Sequence, residues 1–316
     1  MSERREISYP NPGKIMPPVL EPLKGPCITR FAPSPTGLLH LGHAVAAIAA
    51  HDLAKATGGR FLLRIDDIDA GRCRPEFEAM IYEDLAWMGL RWREPVRKQS
   101  ECLKEYRTAL ARLQSLGLIY PCFCTRREIQ QEAARAGQAP HGPDGPLYPG
   151  VCRGLGGDER AARTRAGAAF ALRLDVAKAL GRTAGPLCFP EHGQGPEAQN
   201  GWIMAQPESL GDVILARGQG GVVQHYSYHL AVVVDDAAQG VTCVTRGRDL
   251  FFTTHMHCLL QALLGLPAPA YLHHALALDE SGKRLAKRHD ALSLQQLRTG
   301  GMQPEMVRKL ARSVLA

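Results

Sequence analysis

Along residues 1–24 apolar and polar positions alternate with neither a two-residue nor a 3.6-residue period, and proline is frequent, which predicts an extended arm ahead of the fold. The pattern changes at Cys27. The run CITRFAP is strand-like, is stopped by Pro33 and Pro35, and leads through Gly37 into an alanine-rich helix expected from about His40 to Thr57. RFLLRI, Arg60 to Ile65, predicts a second strand; an acidic turn follows at Asp66 to Asp69, and then a helix from about Pro75 to Met88. Strands alternating with helices predict a parallel sheet covered on both faces, so the expected fold is α/β, a Rossmann-type doubly wound parallel sheet.

Between Tyr120 and about Glu208 glycine, proline and arginine become dense, and only AFALRLDV is clearly strand-like, which predicts an insertion between two halves of the sheet. Sheet-like sequence resumes at GDVILARG and at HLAVVVDD, the latter read as an apolar strand ending in two carboxylates. VTCVTRGRDL and a helix from Phe251 to Leu264 follow. From Tyr271 the pattern gives a short strand, the basic loop SGKRLAKRHD and two amphipathic helical segments reaching Ala316. The expected organisation is an arm (1–24), the first half of the catalytic domain (25–119), an insertion subdomain (120–208), the second half (209–270) and a closing segment (271–316).

Composition narrows the classes of function. Lysine and arginine total 38 against 31 acidic residues, a formal charge of +7 with a pI near 9.0, which suits a polyanionic partner. No stretch approaches eighteen uncharged apolar residues and no apolar run follows the first charges, so no membrane span or secretory signal is expected and the expected compartment is the cytoplasm. Nine cysteines, an odd count without secretory context, point to thiols or metal ligands rather than a disulfide framework.

Two constellations carry chemistry. The first is PSPTGLLHLGH, Pro33 to His43, at a strand-to-helix turn. Unpaired backbone N–H groups and the positive helix end favour an anion there, Gly37 and Gly42 allow close approach, and His40 and His43 share a helix face from which imidazoles can donate to phosphate oxygens. The second is KRLAKR, Lys283 to Arg288, which gathers four cations on a glycine-led loop suited to the charge that develops on a phosphate under attack.

Together the two motifs resemble the paired signatures of class I aminoacyl-tRNA synthetases. RFAPSPTGLLHLGH, RIDDID, YHLAVVVDD and RGRDL are similar to the glutamyl branch, and the resemblance runs from about residue 26 to residue 290. It implies activation of glutamate by ATP with Mg²⁺. It further implies that Arg30 and Ser34 hold carboxylate and backbone groups of glutamate, that Asp66 takes the ammonium, and that Tyr228 and Arg246 complete the pocket. His40, Gly42, His43, Arg284 and Lys287 would bind ATP, with His40, His43 and Lys287 as the catalytic groups. Two positions depart from the family: Asp66 stands where Glu is usual, as in the glutaminyl branch, and Ala286 where Ser is usual.

Cys122, Cys124 and Cys152 lie within thirty-one positions and would, with a fourth ligand, make a closed tetrahedral zinc site that staples a glycine-rich segment. The resemblance implies Tyr148 as that ligand, and His141 is the conventional alternative. Only 29 residues follow Lys287. Set beside the resemblance, that implies a shortened branch without the anticodon-binding part, acting as a monomer, which transfers glutamate to the queuosine base of tRNA(Asp) through its anticodon loop. A stand-alone activator serving a small acceptor or carrier protein, and a non-catalytic RNA-binding paralogue, are the alternatives.

Overall fold

The computed structural model describes residues 20–135, 141–142, 145–277 and 292–315. β1 (Ile28–Phe31) leads into α1 (Leu41–Ala56), and β2 (Arg60–Ile65), α2 (Pro75–Trp87), β3 (Arg93–Lys98) and α3 (Leu103–Ser115) follow. All three strands are parallel, in the order β1-β2-β3. The alanines of α1 are the reason it lies close against the sheet: Ala44, Ala47 and Ala50 are fully buried beside Ile48, and pack with Phe61, Leu63 and Ile65 of β2. Gly59 has the same steric origin, since a Cβ there would stand 1.9 Å from the carbonyl oxygen of Cys27.

The chain then forms β4 (Ile119–Cys122), α4 (Arg126–Arg135), a short pair β5 (His141–Gly142) and β6 (Gly145–Pro146), α5 (Gly157–Arg165), β7 (Ala169–Leu174) and α6 (Val176–Leu180). Next come β8 (Cys188–Glu191), β9 (Gly201–Met204), β10 (Ile214–Gln219), β11 (Val222–Tyr226), α7 (Tyr228–Ala238), β12 (Cys243–Gly247), α8 (Phe251–Leu264) and β13 (Ala270–His274). α9 (Leu294–Thr299) and α10 (Pro304–Leu315) close the chain. β12, β13 and β8 are parallel neighbours, with β9 antiparallel at the edge. The N–H of Thr242 donates to the carbonyl of Ile28 at 2.9 Å, so β12 runs beside β1 and the two parallel sheets meet there. The strand order reverses at that junction, and in such α/β sheets a ligand crevice opens outside the carboxyl ends of the strands. This is the Rossmann-like α/β arrangement expected from the sequence.

HLAVVVDD is not a strand. It forms α7, buried on nearly all sides from Leu230 to Asp236 between the insertion sheet and α3 and α8. A run of β-branched residues looks the same whether it ends as a buried strand or a buried helix, and here the packing against α3 and α8 decides. β10 and β11, expected with the second half of the parallel sheet, instead continue the antiparallel sheet β11-β10-β7-β4. Conversely β8 and β9, inside the stretch read as insertion, join β12 and β13; Pro190 in β8 lacks the N–H donor and hides the strand from a pattern reading. No helix among the described residues is long and apolar enough to cross a membrane.

Candidate active site

A cavity of about 320 Å³ opens where β1, β2 and β12 end. It is lined by Arg30, Ser34, His40, Gly42, His43, Asp66, Tyr228 and Arg246, so the structure brings eight of the expected site residues together. Arg284 and Lys287 lie outside the described residues.

Arg246 sits at the end of β12, 5% exposed. Its Nε donates to His273 Nε2 at 3.1 Å, Nη1 to the Tyr228 hydroxyl at 3.1 Å, and Nη2 to Thr254 Oγ1 at 2.5 Å; His257 Nδ1 is 3.4 Å from Nη1. Burial, reinforced by the adjacent Arg246 charge, pushes His257 well below the usual imidazole range, and burial takes His273 down to about 4. The guanidinium is therefore surrounded by uncharged partners, and among the described residues no carboxylate pairs with it. A buried cation in that condition is costly until an anion arrives.

Opposite in character is the floor under β1 and β2. Arg30 grips Asp236 with Nε at 2.9 Å and Nη2 at 3.3 Å and gives Nη1 to the Thr245 carbonyl at 3.1 Å. Arg64, wholly buried, bonds Asp66 at 2.7 Å and Asp236 at 2.6 Å. The chain Arg30–Asp236–Arg64–Asp66 fixes where each group points more than it adds stability, because desolvation offsets most of the attraction between buried ions. Burial raises Asp66 to about 6 against the opposing pull of Arg64. Asp66 is thus both a member of this chain and a wall of the cavity.

His40 is the N-cap of α1. Its Nδ1 accepts from the Gly42 N–H at 3.1 Å, and His43 Nδ1 accepts from the His40 N–H at 3.1 Å, which closes a reciprocal capping box made of two imidazoles. Using Nδ1 as the acceptor places the proton of each ring, in its neutral form, on Nε2, which makes that nitrogen the donor. The rings stand 3.9 Å apart. The N-terminal helix charge and two imidazole donors share one wall of the cavity, a combination suited to phosphate.

Residues 26–314 match the family described as tRNA synthetases class I (E and Q), catalytic domain. The chain belongs to this family. It is 52% identical over 291 residues to the Glutamyl-Q tRNA(Asp) synthetase of Rhodobacter capsulatus, covering 90% of this chain and 99% of that protein. It is 45% identical to the enzyme of the same name from Nocardia farcinica, covering 88% and 81% of the two chains. A glutamate tRNA ligase from Elizabethkingia meningosepticum, solved in complex with its amino acid, superposes with a TM-score of 0.71 at 26% identity over 90% of this chain. The chain spans about 60% of the length of that ligase.

From the sequence no role is assigned to His257 or His273, yet both touch Arg246, and none is assigned to Arg64, Asp236 or Glu191. One signal was present: Tyr228, Val232 and Asp236 recur at i, i+4 and i+8, one face of a helix, and that face reaches the cavity and its floor. His255 is structural, accepting from the Gln206 N–H at 3.0 Å.

The insertion holds the cysteine cluster. The Sγ atoms of Cys122, Cys124 and Cys152 all lie within 4.8 Å of one another, those of Cys124 and Cys152 at 3.4 Å. The Tyr148 hydroxyl stands 3.9 Å from Cys124 Sγ and accepts from the Cys152 N–H at 2.8 Å. Burial and the neighbouring thiol of Cys152 push Cys124 up to about 12, whereas Cys122, although burial opposes it, is held below the usual thiol range by Tyr148 and Arg173. The side chain of His141 lies outside the described residues.

Proposed function

We propose that this synthetase-family chain joins glutamate to AMP, using ATP with Mg²⁺, and passes the glutamyl group to the queuosine base of tRNA(Asp). The observation that carries the reading is Arg246: a buried guanidinium with uncharged partners, across the cavity from a floor that is already neutralised, asks for a substrate with an extra carboxylate. Tyr228 and Arg246 would hold that side-chain carboxylate, Arg30 and Ser34 the backbone groups, and Asp66 the ammonium. The α-carboxylate oxygen attacks the α-phosphorus and the bond to pyrophosphate breaks, while His40, His43 and Lys287 balance the charge on the phosphates, with Gly42 and Arg284 completing the nucleotide site. No protein nucleophile is needed; positioning and electrostatics do the work. The 52% identity to a protein named Glutamyl-Q tRNA(Asp) synthetase supports the acceptor, and the +7 charge supports a polyanion as partner.

Transfer of labelled glutamate to purified tRNA(Asp), with and without queuosine, tests the whole reading once adenylate formation is established without tRNA. Incorporation into the queuosine form alone is the expected result; equal incorporation into both, or into neither, removes the acceptor.

Asp66 gives a pH signature. With its carboxyl raised to about 6, it is charged at pH 7 and increasingly neutral below 6, so the ammonium loses its counter-ion as pH falls. The KM for glutamate in ATP–pyrophosphate exchange is expected to rise from pH 7 to pH 5, approaching about tenfold per unit at the acid end. A flat profile for wild type, or an unchanged slope in Asp66→Asn, rejects the role.

We also propose that Cys122, Cys124, Tyr148 and Cys152 hold one structural zinc. Tetrahedral Zn–S bonds of ~2.3 Å put ligand sulfurs ~3.8 Å apart, and the observed cluster is already drawn in to about that spacing. Arg173, its guanidinium 3.8 Å from the centre of the Tyr148 ring, favours the anionic ligand that zinc requires.

A further inference from the structure

Three neighbouring parallel strands end in a hydrogen-bonded row. Arg246 on β12 is in register with His273 on β13, and Glu191 closes β8 on the other side of β13. Glu191 and His273 are each 1% exposed. The Nδ1 of His273 meets Glu191 Oε2 at 2.5 Å, and its Nε2 accepts from Arg246 Nε at 3.1 Å. The other carboxylate oxygen, Oε1, accepts two backbone N–H groups, from Gly193 at 2.8 Å and His273 at 2.9 Å. Gly193 is required for this closeness, since a Cβ there would stand 2.2 Å from the His273 carbonyl oxygen.

We propose that Glu191 and His273 are positioning residues that set the direction of the hydrogen bonds reaching Arg246 and so place its guanidinium for the substrate carboxylate. The inference rests on Arg246 being the carboxylate site. Its logic is one of donors and acceptors. Only an anion at Oε2 obliges His273 to carry its proton on Nδ1, and only then does Nε2 offer a lone pair to Arg246. Glutamine at position 191 is nearly isosteric but reverses the row. Its oxygen must stay toward the two backbone N–H groups, so its NH₂ faces Nδ1, and the ring must then move its proton to Nε2. That N–H points at the Arg246 Nε–H, two donors in contact, and the guanidinium is turned out of place. A group that merely filled the core would not distinguish Glu from Gln in this way.

ATP–pyrophosphate exchange with Glu191→Gln, His273→Asn and Arg246→Ala, together with ¹⁵N spectra of histidine-labelled protein, tests the proposal. Glu191→Gln is expected to raise the glutamate KM about tenfold or more with the ATP KM unchanged, and to move the His273 proton from Nδ1 to Nε2. His273→Asn keeps a donor toward Glu191, but its amide oxygen falls one bond short of the Nε2 position, so the glutamate KM is expected to rise here too, by less than in Glu191→Gln, where two donors face each other. A wild-type glutamate KM in Glu191→Gln, while Arg246→Ala has lost glutamate, overturns the positioning role. A wild-type glutamate KM in Arg246→Ala overturns the carboxylate site itself. Should Glu191→Gln not fold, His273→Phe against His273→Asn decides: a larger rise in the glutamate KM is expected for Phe, which has neither donor nor acceptor, and equal values overturn the proposal.

Discussion

Arg246→Ala is expected to lower kcat/KM for glutamate in ATP–pyrophosphate exchange by about two to three orders of magnitude, the effect of removing one side of a desolvated charged pair worth about 3–4 kcal/mol. The loss should fall on glutamate and spare ATP, because the contacts of Arg246 run to Tyr228, Thr254 and His273 and not to the histidine turn at the start of α1. Selectivity gives the sharper readout. In wild type a side-chain carboxylate relieves the buried cation whereas the neutral amide of glutamine does not, so glutamate should be strongly preferred even though Asp66 stands where the glutamyl enzymes usually carry Glu. In Arg246→Ala that preference should collapse. Arg246→Lys keeps the charge but loses the planar fork, and an intermediate value is expected. Undiminished discrimination in Arg246→Ala would move the selecting group elsewhere.

The second large effect is expected on stability. Tyr120, Cys122, Tyr148 and Cys152, with Cys124, Ile129 and Leu155 around them, are the small cluster that holds the segment from β4 through α5 together, and most of its members are the proposed ligands. A segment with so little apolar mass would depend on the proposed metal for order. Cys124→Ser, or extraction with a strong chelator, is expected to remove one zinc per chain and about 3 kcal/mol, lowering Tm by roughly 5 °C for a chain of this size. That is well short of the ~10–16 kcal/mol seen where a peptide has no fold without zinc, because Phe170, Leu172 and Leu215 of the same sheet pack independently against α3, α7 and α8. New protease cleavage confined to residues 124–165 should accompany the change. Protein that carries no zinc as purified, or whose melting ignores Cys124→Ser, would dismiss the site.

What the sequence made legible was mostly local. The turn from β1 into α1 could be read because proline, glycine and the alanine run each act within a few residues of their own position, and the cysteine spacing was visible for the same reason. The charged floor was not. Arg64 meets Asp236 across 172 positions and Glu191 meets His273 across 82, and nothing in a single sequence links them until the strands are ordered. Reading α7 as a strand compounded this, because alternation puts Val232 and Asp236 on the same side as every second residue, whereas the helical period singles them out with Tyr228. The edge of the insertion failed at Pro190, a residue that argues against a strand unless the partner on its other side is known.

The junction of α9 with the nucleotide turn has a further consequence. Leu294 gives its N–H to the carbonyl of Leu39 at 2.8 Å, Ser293 is bridged to His40, and Ala277 lines the cavity. Both ends of the stretch that contains Arg284 and Lys287 are therefore tied to the rim of one cavity. Closing both ends on one rim keeps those cations at a raised local concentration beside the phosphates, whatever path the chain takes between them. Lengthening the stretch would raise the cost of closure only as the logarithm of its length, whereas cutting the Ser293–His40 stitch would release one end and dilute the cations at once.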